Sequence, residues 1–140
     1  MFRFRGRVLV VDDNRIILEA TRLFLEGAGF KVAVQQSAFE MSAAILENRP
    51  DVILLDVHMP ALTGDQAAEI LKRYPFTRDI PVLLFSDLEE NELIDLVQIT
   101  GAAGFIKKSA GQRRMIETVK HWAHVSRHQR YNGMEPDFAY

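Results

Sequence analysis

Three short runs, Val8–Val11, Val52–Leu55 and Pro81–Phe85, are apolar at every position, and amphipathic segments fill the spaces between them. A strand that is apolar throughout must be buried on both faces, which is the situation of a central strand in a parallel sheet covered by helices. Two weaker runs, Phe30–Val34 and Ala103–Ile106, complete a set of five predicted strands, the third of them extended to Val52–Asp56. Five strands alternating with five helical segments imply right-handed crossovers and an α/β fold.

The helical segments carry their own punctuation. Asn14 is a cap for a first helix in which Ile16, Ile17, Ala20, Leu23 and Phe24 recur at helical spacing, and Gly27-Ala28-Gly29 stops it. Ser37 with Glu40 reads as a capping box for a second helix that must stop at Pro50. Thr63 with Gln66, Asp87 with Glu90 and Ser109 with Gln112 read the same way for the third, fourth and fifth helices. The third is expected to end near Tyr74-Pro75, and the fifth to turn Met115, Ile116, Val119, Trp122 and Ala123 inward. Asn132-Gly133 is expected to stop the fifth helix, leaving a tail or the start of a linker.

Composition narrows the function. The 140 residues are 48% hydrophobic with a formal net charge of −2, which suits one domain and suggests neither nucleic acid nor an acidic membrane as partner. There are no cysteines, which excludes disulfides, iron–sulfur clusters and thiolate zinc sites. The apolar runs are too short to span a bilayer. The basic start MFRFRGRVLVVDD is cut short by two aspartates and does not read as a signal peptide, so a cytoplasmic protein is expected.

In an open parallel sheet, ligands bind outside the carboxyl ends of the strands. Collected there are Asp12 and Asp13 from strand one, Asp56 from strand three, Ser86 from strand four, and Lys107 and Lys108 from strand five. Any one of these alone is a turn residue or a helix cap. Together they crowd carboxylates that repel one another and call for a cation. A hard divalent ion such as Mg²⁺, with oxygen ligands, suits them. With that ion and a lysine in place, a dianionic phosphoryl group could sit on Asp56.

The motifs VLVVDDN, VILLDVHMP, LLFSD and GAAGFIKKS, in this order and spacing, resemble those of response regulator receiver domains over residues 6–127, with 128–140 left as tail or linker. The resemblance implies a doubly wound, flavodoxin-like (βα)₅ domain with strand order 2-1-3-4-5. It implies that Asp56 accepts a phosphoryl group from a histidine kinase or phosphotransfer protein. Asp12, Asp13 and Asp56 would then hold Mg²⁺ with the backbone carbonyl of His58. Ser86 matches the switch hydroxyl, Lys108 the phosphate-binding lysine and Phe105 the aromatic switch. Such a domain is not an enzyme in its own right, and it signals to a downstream protein or output domain.

Three positions depart from the family pattern: Asp87 stands where a small residue is usual, Ser109 where a proline is usual, and Phe105 where tyrosine is common. Asp87 reads as a helix cap and as a gate whose charge repels small anionic phosphodonors. Without proline, the Lys108–Ser109 peptide is expected to be trans.

Two other readings share part of this pattern. A haloacid-dehalogenase-type phosphatase needs a second aspartate two residues after its nucleophile, and His58 stands there. A receiver-fold interaction module that works without phosphorylation keeps every acceptor residue, and trapping with beryllofluoride would separate it from the first reading.

Other signals are weaker. Gly27-Ala28-Gly29 follows a helix and not a strand, so it is no dinucleotide fingerprint. His121, His124 and His128 share a helical face and read as solvated. Charge is more informative. Asp87 to Asp95 holds five acids and no base, whereas Lys107 to Arg130 holds seven bases and one acid. The surface of the fourth helix, fifth strand and fifth helix thus has an acidic and a basic edge, which a two-fold homodimer could pair reciprocally.

Overall fold

A computed structural model describes residues 3–59, 66, 73 and 79–138, those from 130 onward by backbone alone. Five parallel strands form one sheet: β1 (Gly6–Val11), β2 (Phe30–Gln35), β3 (Val52–Asp56), β4 (Val82–Ser86) and β5 (Gly104–Lys107). Their order is β2-β1-β3-β4-β5, as expected. Four helices are described along their whole backbone: α1 (Arg15–Gly27), α2 (Met41–Asn48), α3 (Glu90–Thr100) and α4 (Gln112–Phe138). Of the third predicted helix only Gln66 and Arg73 are described, both helical; its proposed cap at Thr63 and its end at Tyr74-Pro75 lie outside the described residues.

The apolar strands divide their side chains between two cores because successive residues point to opposite faces. Val8, Val10, Val52, Leu54, Leu83 and Phe85 meet Leu18 and Leu25 of α1 and Met115, Val119 and Ala123 of α4. On the other face, Leu9, Val11, Ile53 and Leu55 meet Met41, Ala44 and Ile45 of α2. The inward set expected of the last helix is found, with Ile116 and Trp122 packed at its border.

On α1 the buried stripe is Leu18, Thr21 and Leu25 with Ile17 beside it, while Ile16 and Leu23 are 80% and 62% exposed. Two apolar stripes exist on this helix, and the one bearing Leu18 and Leu25 docks on the sheet. The Asn14 cap forms as expected, its Oδ1 accepting the backbone N–H groups of Ile16 (2.9 Å) and Ile17 (3.2 Å).

The other caps differ from expectation. α2 starts at Met41, behind a Glu40 that makes no side-chain cap bond, so the Ser37–Glu40 box does not form. Its start is fixed where Met41, Ala44 and Ile45 reach the core. α3 starts at Glu90 behind Glu89, again with no side-chain cap, and Asp87 is therefore not its cap. Ser109 lies within a 3-10 turn, Lys108–Ala110, and Gly111 at φ 93° separates that turn from α4. Asn132-Gly133 does not stop α4, which continues to Phe138. One interior glycine costs only about 1 kcal/mol relative to alanine, so Asn132-Gly133 is by itself a weak stop. No cis peptide occurs among the described residues, so Lys108–Ser109 is trans, as expected.

Candidate functional site

Parallel pairing brings the carboxyl ends of β1, β3, β4 and β5 to one edge, and each contributes polar groups there. β1 and β3 are in register with Val11 opposite Leu55, so Asp12 follows directly beside Asp56. β3 and β4 pair Asp56 with Phe85, and β4 and β5 pair Ser86 with Lys107. Asp12, Asp56 and Ser86 are buried, at 0%, 1% and 0% exposure, while Asp13 is exposed.

Buried charges at a strand end need partners, and the geometry supplies them. Lys108 Nζ lies 2.7 Å from Asp12 Oδ2 and 3.5 Å from Asp56 Oδ1. It also stands 5.4 Å from the centre of the Phe85 ring, a cation–π contact. Asp12 Oδ1 accepts the N–H of Asn14 at 2.9 Å, and Asp56 Oδ1 accepts the N–H of His58 at 3.0 Å. Ser86 Oγ accepts the N–H of Leu88 at 3.1 Å, which leaves its proton free to be donated elsewhere.

Asp12, Asp13 and Asp56 each offer a carboxylate oxygen within 4.8 Å of the others. One ammonium against three carboxylates leaves an excess of negative charge. Burial pushes the Asp56 carboxyl above its ordinary range. The Asp12 charge pushes it further, while the His58 N–H and Lys108 pull it down. Three hard oxygen donors this close, incompletely neutralised, have the chemistry of a divalent-cation site.

The structure therefore brings together Asp12, Asp13, Asp56, Ser86 and Lys108. Phe105 stands apart on β5, opposite Leu84 and half-buried. The side chain of His58 is exposed, and its backbone binds Asp56.

Two arrangements escaped the sequence reading. Asp87 Oδ1 accepts the backbone N–H of Ser109 at 2.8 Å across 22 residues. The alignment of β4 with β5 makes these neighbours, so their adjacency was readable once Ser86 and Lys107 were placed side by side. At the far end of β3, buried Asp51 accepts the N–H of Arg7 at 2.7 Å and lies 4.0 Å from Arg127, whose guanidinium covers the Phe4 ring. No local pattern signals a contact between residues so far apart in sequence.

An open, doubly wound parallel sheet with an acidic pocket and a lysine at its carboxyl edge is the architecture of a receiver-type signalling domain. The family description "Response regulator receiver domain" matches residues 8–120, and the chain belongs to that family. The chain is 32% identical over 114 residues to the phosphate regulon transcriptional regulatory protein PhoB of Pseudomonas aeruginosa, covering 81% of this chain and 49% of that protein. It is 27% identical over 113 residues to the polar-differentiation response regulator DivK of Brucella anthropi, covering 81% of this chain and 92% of DivK. It thus spans about half the length of relatives such as PhoB and nearly all of DivK. The solved structure of the Vibrio cholerae chemotaxis protein CheY4 superposes with a TM-score of 0.76 at 26% identity, covering 83% of this chain and 97% of CheY4. Among the described residues, no helix is long and apolar enough to cross a membrane.

Proposed function

We propose that Asp56 is the phosphoacceptor of a two-component pathway, taking its phosphoryl group from the phosphohistidine of a kinase or phosphotransfer protein. The observation that carries this reading is the buried carboxylate of Asp56 held between a second carboxylate, Asp12, and the Lys108 ammonium. A carboxylate oxygen of Asp56 attacks phosphorus as the P–N bond breaks. The electron pair stays on the imidazole nitrogen, which takes a proton from solvent, and Asp56 becomes an acyl phosphate.

Asp12, Asp13 and Asp56, with the backbone carbonyl of His58, would hold Mg²⁺; the clustered oxygens and the uncompensated charge suit that ion. Bound there, Mg²⁺ supplies positive charge for the phosphoryl oxygens as they gather negative charge. Lys108, already between Asp12 and Asp56, turns its ammonium to a phosphoryl oxygen. Ser86 donates its free hydroxyl proton to another. Phe105, half-buried on β5, is the aromatic whose position follows the movement of Ser86. The surface of α3, β5 and α4 carries the signal to a downstream protein, an output domain or a second copy. The domain acts as a phosphoacceptor in the cytoplasm and carries out only its own phosphorylation and dephosphorylation.

Labelling with a phosphohistidine donor or acetyl phosphate tests the assignment. Wild-type protein is expected to take up alkali-labile label only with Mg²⁺ present, and Asp56→Asn to take up none. Undiminished labelling of Asp56→Asn overturns it.

A further inference from the structure

Resting on the reading of Asp56 as phosphoacceptor, we infer that Asp87 is a positioning residue: its hydrogen bond to the Ser109 N–H ties the loop after Ser86 to the turn after Lys108, so that the two groups that grip the phosphoryl move as one unit.

The geometry is local and specific. Asp87 directly follows Ser86, and Ser109 directly follows Lys108. Asp87 Oδ1 and Ser109 N are 2.8 Å apart, well within hydrogen-bonding distance. The bond crosses from the end of β4 to the end of β5, two strands already aligned with Ser86 opposite Lys107. It extends the ladder one step beyond the sheet, by a side chain where no strand backbone remains. The two departures noted in the sequence are its two halves. A small residue at 87 would offer no acceptor, and a proline at 109 would offer no N–H.

The carboxylate is consequently committed. Asp87 does not cap α3, whose cap position is Glu89. Its charge is directed at the 3-10 turn Lys108–Ala110 and is partly satisfied there, which weakens the case for a free charge repelling donors at the site's mouth. What the bond holds is the starting point of the Lys108 side chain. That side chain must reach Asp12 at 2.7 Å and Asp56 at 3.5 Å from the turn that follows β5. Loss of the bond frees the turn, and the ammonium then spends less time aimed at Asp56. Preorganised charge of this kind counts most when the group it stabilises is an incoming anion.

The experiment compares four proteins, wild type, Asp87→Ala, Asp87→Asn and Ser109→Ala, for rate of labelling by acetyl phosphate and for affinity for beryllofluoride with Mg²⁺. Asn keeps the acceptor oxygen and removes the charge; Ser109→Ala keeps the backbone N–H. The clamp requires Asp87→Ala to label roughly three- to tenfold more slowly and to bind beryllofluoride correspondingly more weakly. It requires Asp87→Asn and Ser109→Ala to stay within about twofold of wild type. If Asp87→Ala and Asp87→Asn both label faster, the carboxylate is an electrostatic gate and the clamp is overturned. If Asp87→Ala labels and binds as wild type does, the bond has no functional weight and the clamp is likewise overturned. Failure of the underlying phosphoacceptor reading has a different signature, since wild type itself would then take up neither label nor beryllofluoride.

Discussion

At the scale of single residues, the balance at Asp56 sets an expectation for stability. Burial raises the Asp56 carboxyl above its ordinary range, with Asp12 adding to that rise. In the unfolded chain the carboxyl ionises near pH 4, while in the folded protein the proton is held to higher pH. Between those two points the unfolded chain gives up a proton that the folded one keeps. Stability is therefore greatest below the unfolded value and falls as pH rises through the folded value. Asparagine carries no such penalty. In metal-free buffer at pH 7, Asp56→Asn is expected to melt higher than wild type. The gain should shrink as pH falls and vanish near pH 3.5, below the unfolded range. A variant no more stable than wild type at pH 7 would show that Lys108 and the His58 N–H already compensate the buried charge. The residues of this pocket were legible in the sequence because each ends a strand, and strand ends can be counted from hydrophobic runs. The Asp87–Ser109 bond was not legible, since Asp-x-x-Glu and Ser-x-x-Gln patterns fit a helix cap as well as a tertiary contact.

At the scale of elements, strands were read more accurately than helix starts. β3 matches its predicted bounds, Val52–Asp56; β1 and β2 each run one or two residues further at one end, and β4 and β5 are each shifted by one residue. Burial on both faces writes a continuous apolar run into the sequence, and little else produces one. Helix starts depend on a hydrogen bond worth about 1 kcal/mol, which tertiary packing can outweigh. Asn14 formed its cap; Ser37, Asp87 and Ser109 did not. The docking face of α1 shows the same limit, because periodicity reveals that a helix has apolar stripes without saying which one meets the sheet. The two stripes make opposite predictions. Leu25→Ala removes a side chain with no exposure and should cost about 2–5 kcal/mol. Leu23→Ala, on the wet side, should change stability by no more than about 0.5 kcal/mol. Urea denaturation of the pair checks the assignment, and equal losses would mean that both stripes are packed in solution.

At the scale of the whole molecule, charge is segregated. Asp87, Glu89, Glu90, Glu92 and Asp95 are exposed at and along α3, while Arg113 and Arg114 are exposed on α4. If two copies pair these edges reciprocally, self-association in beryllofluoride and Mg²⁺ should weaken between low salt and 0.5 M NaCl, because exposed charges are screened within about 10 Å at 0.1 M and less above it. Sedimentation that shows a monomer throughout would remove the dimer. A different consequence follows from the buried carboxylates at the two ends of β3, Asp51 and Asp56, which that strand separates by about 17 Å. The Asp51 end also gathers the N-terminal segment, through Arg5 N–H on the Gly29 carbonyl and Phe4 beneath Arg127. Arg3 is exposed beside them, and the sequence contains no cysteine. A single thiol introduced by Arg3→Cys would thus be a unique handle on the underside of the molecule. Tethered there to a sensor chip, every copy would present the strand carboxyl ends to the flowing liquid, and the binding of a phosphodonor could be timed on a uniformly oriented layer.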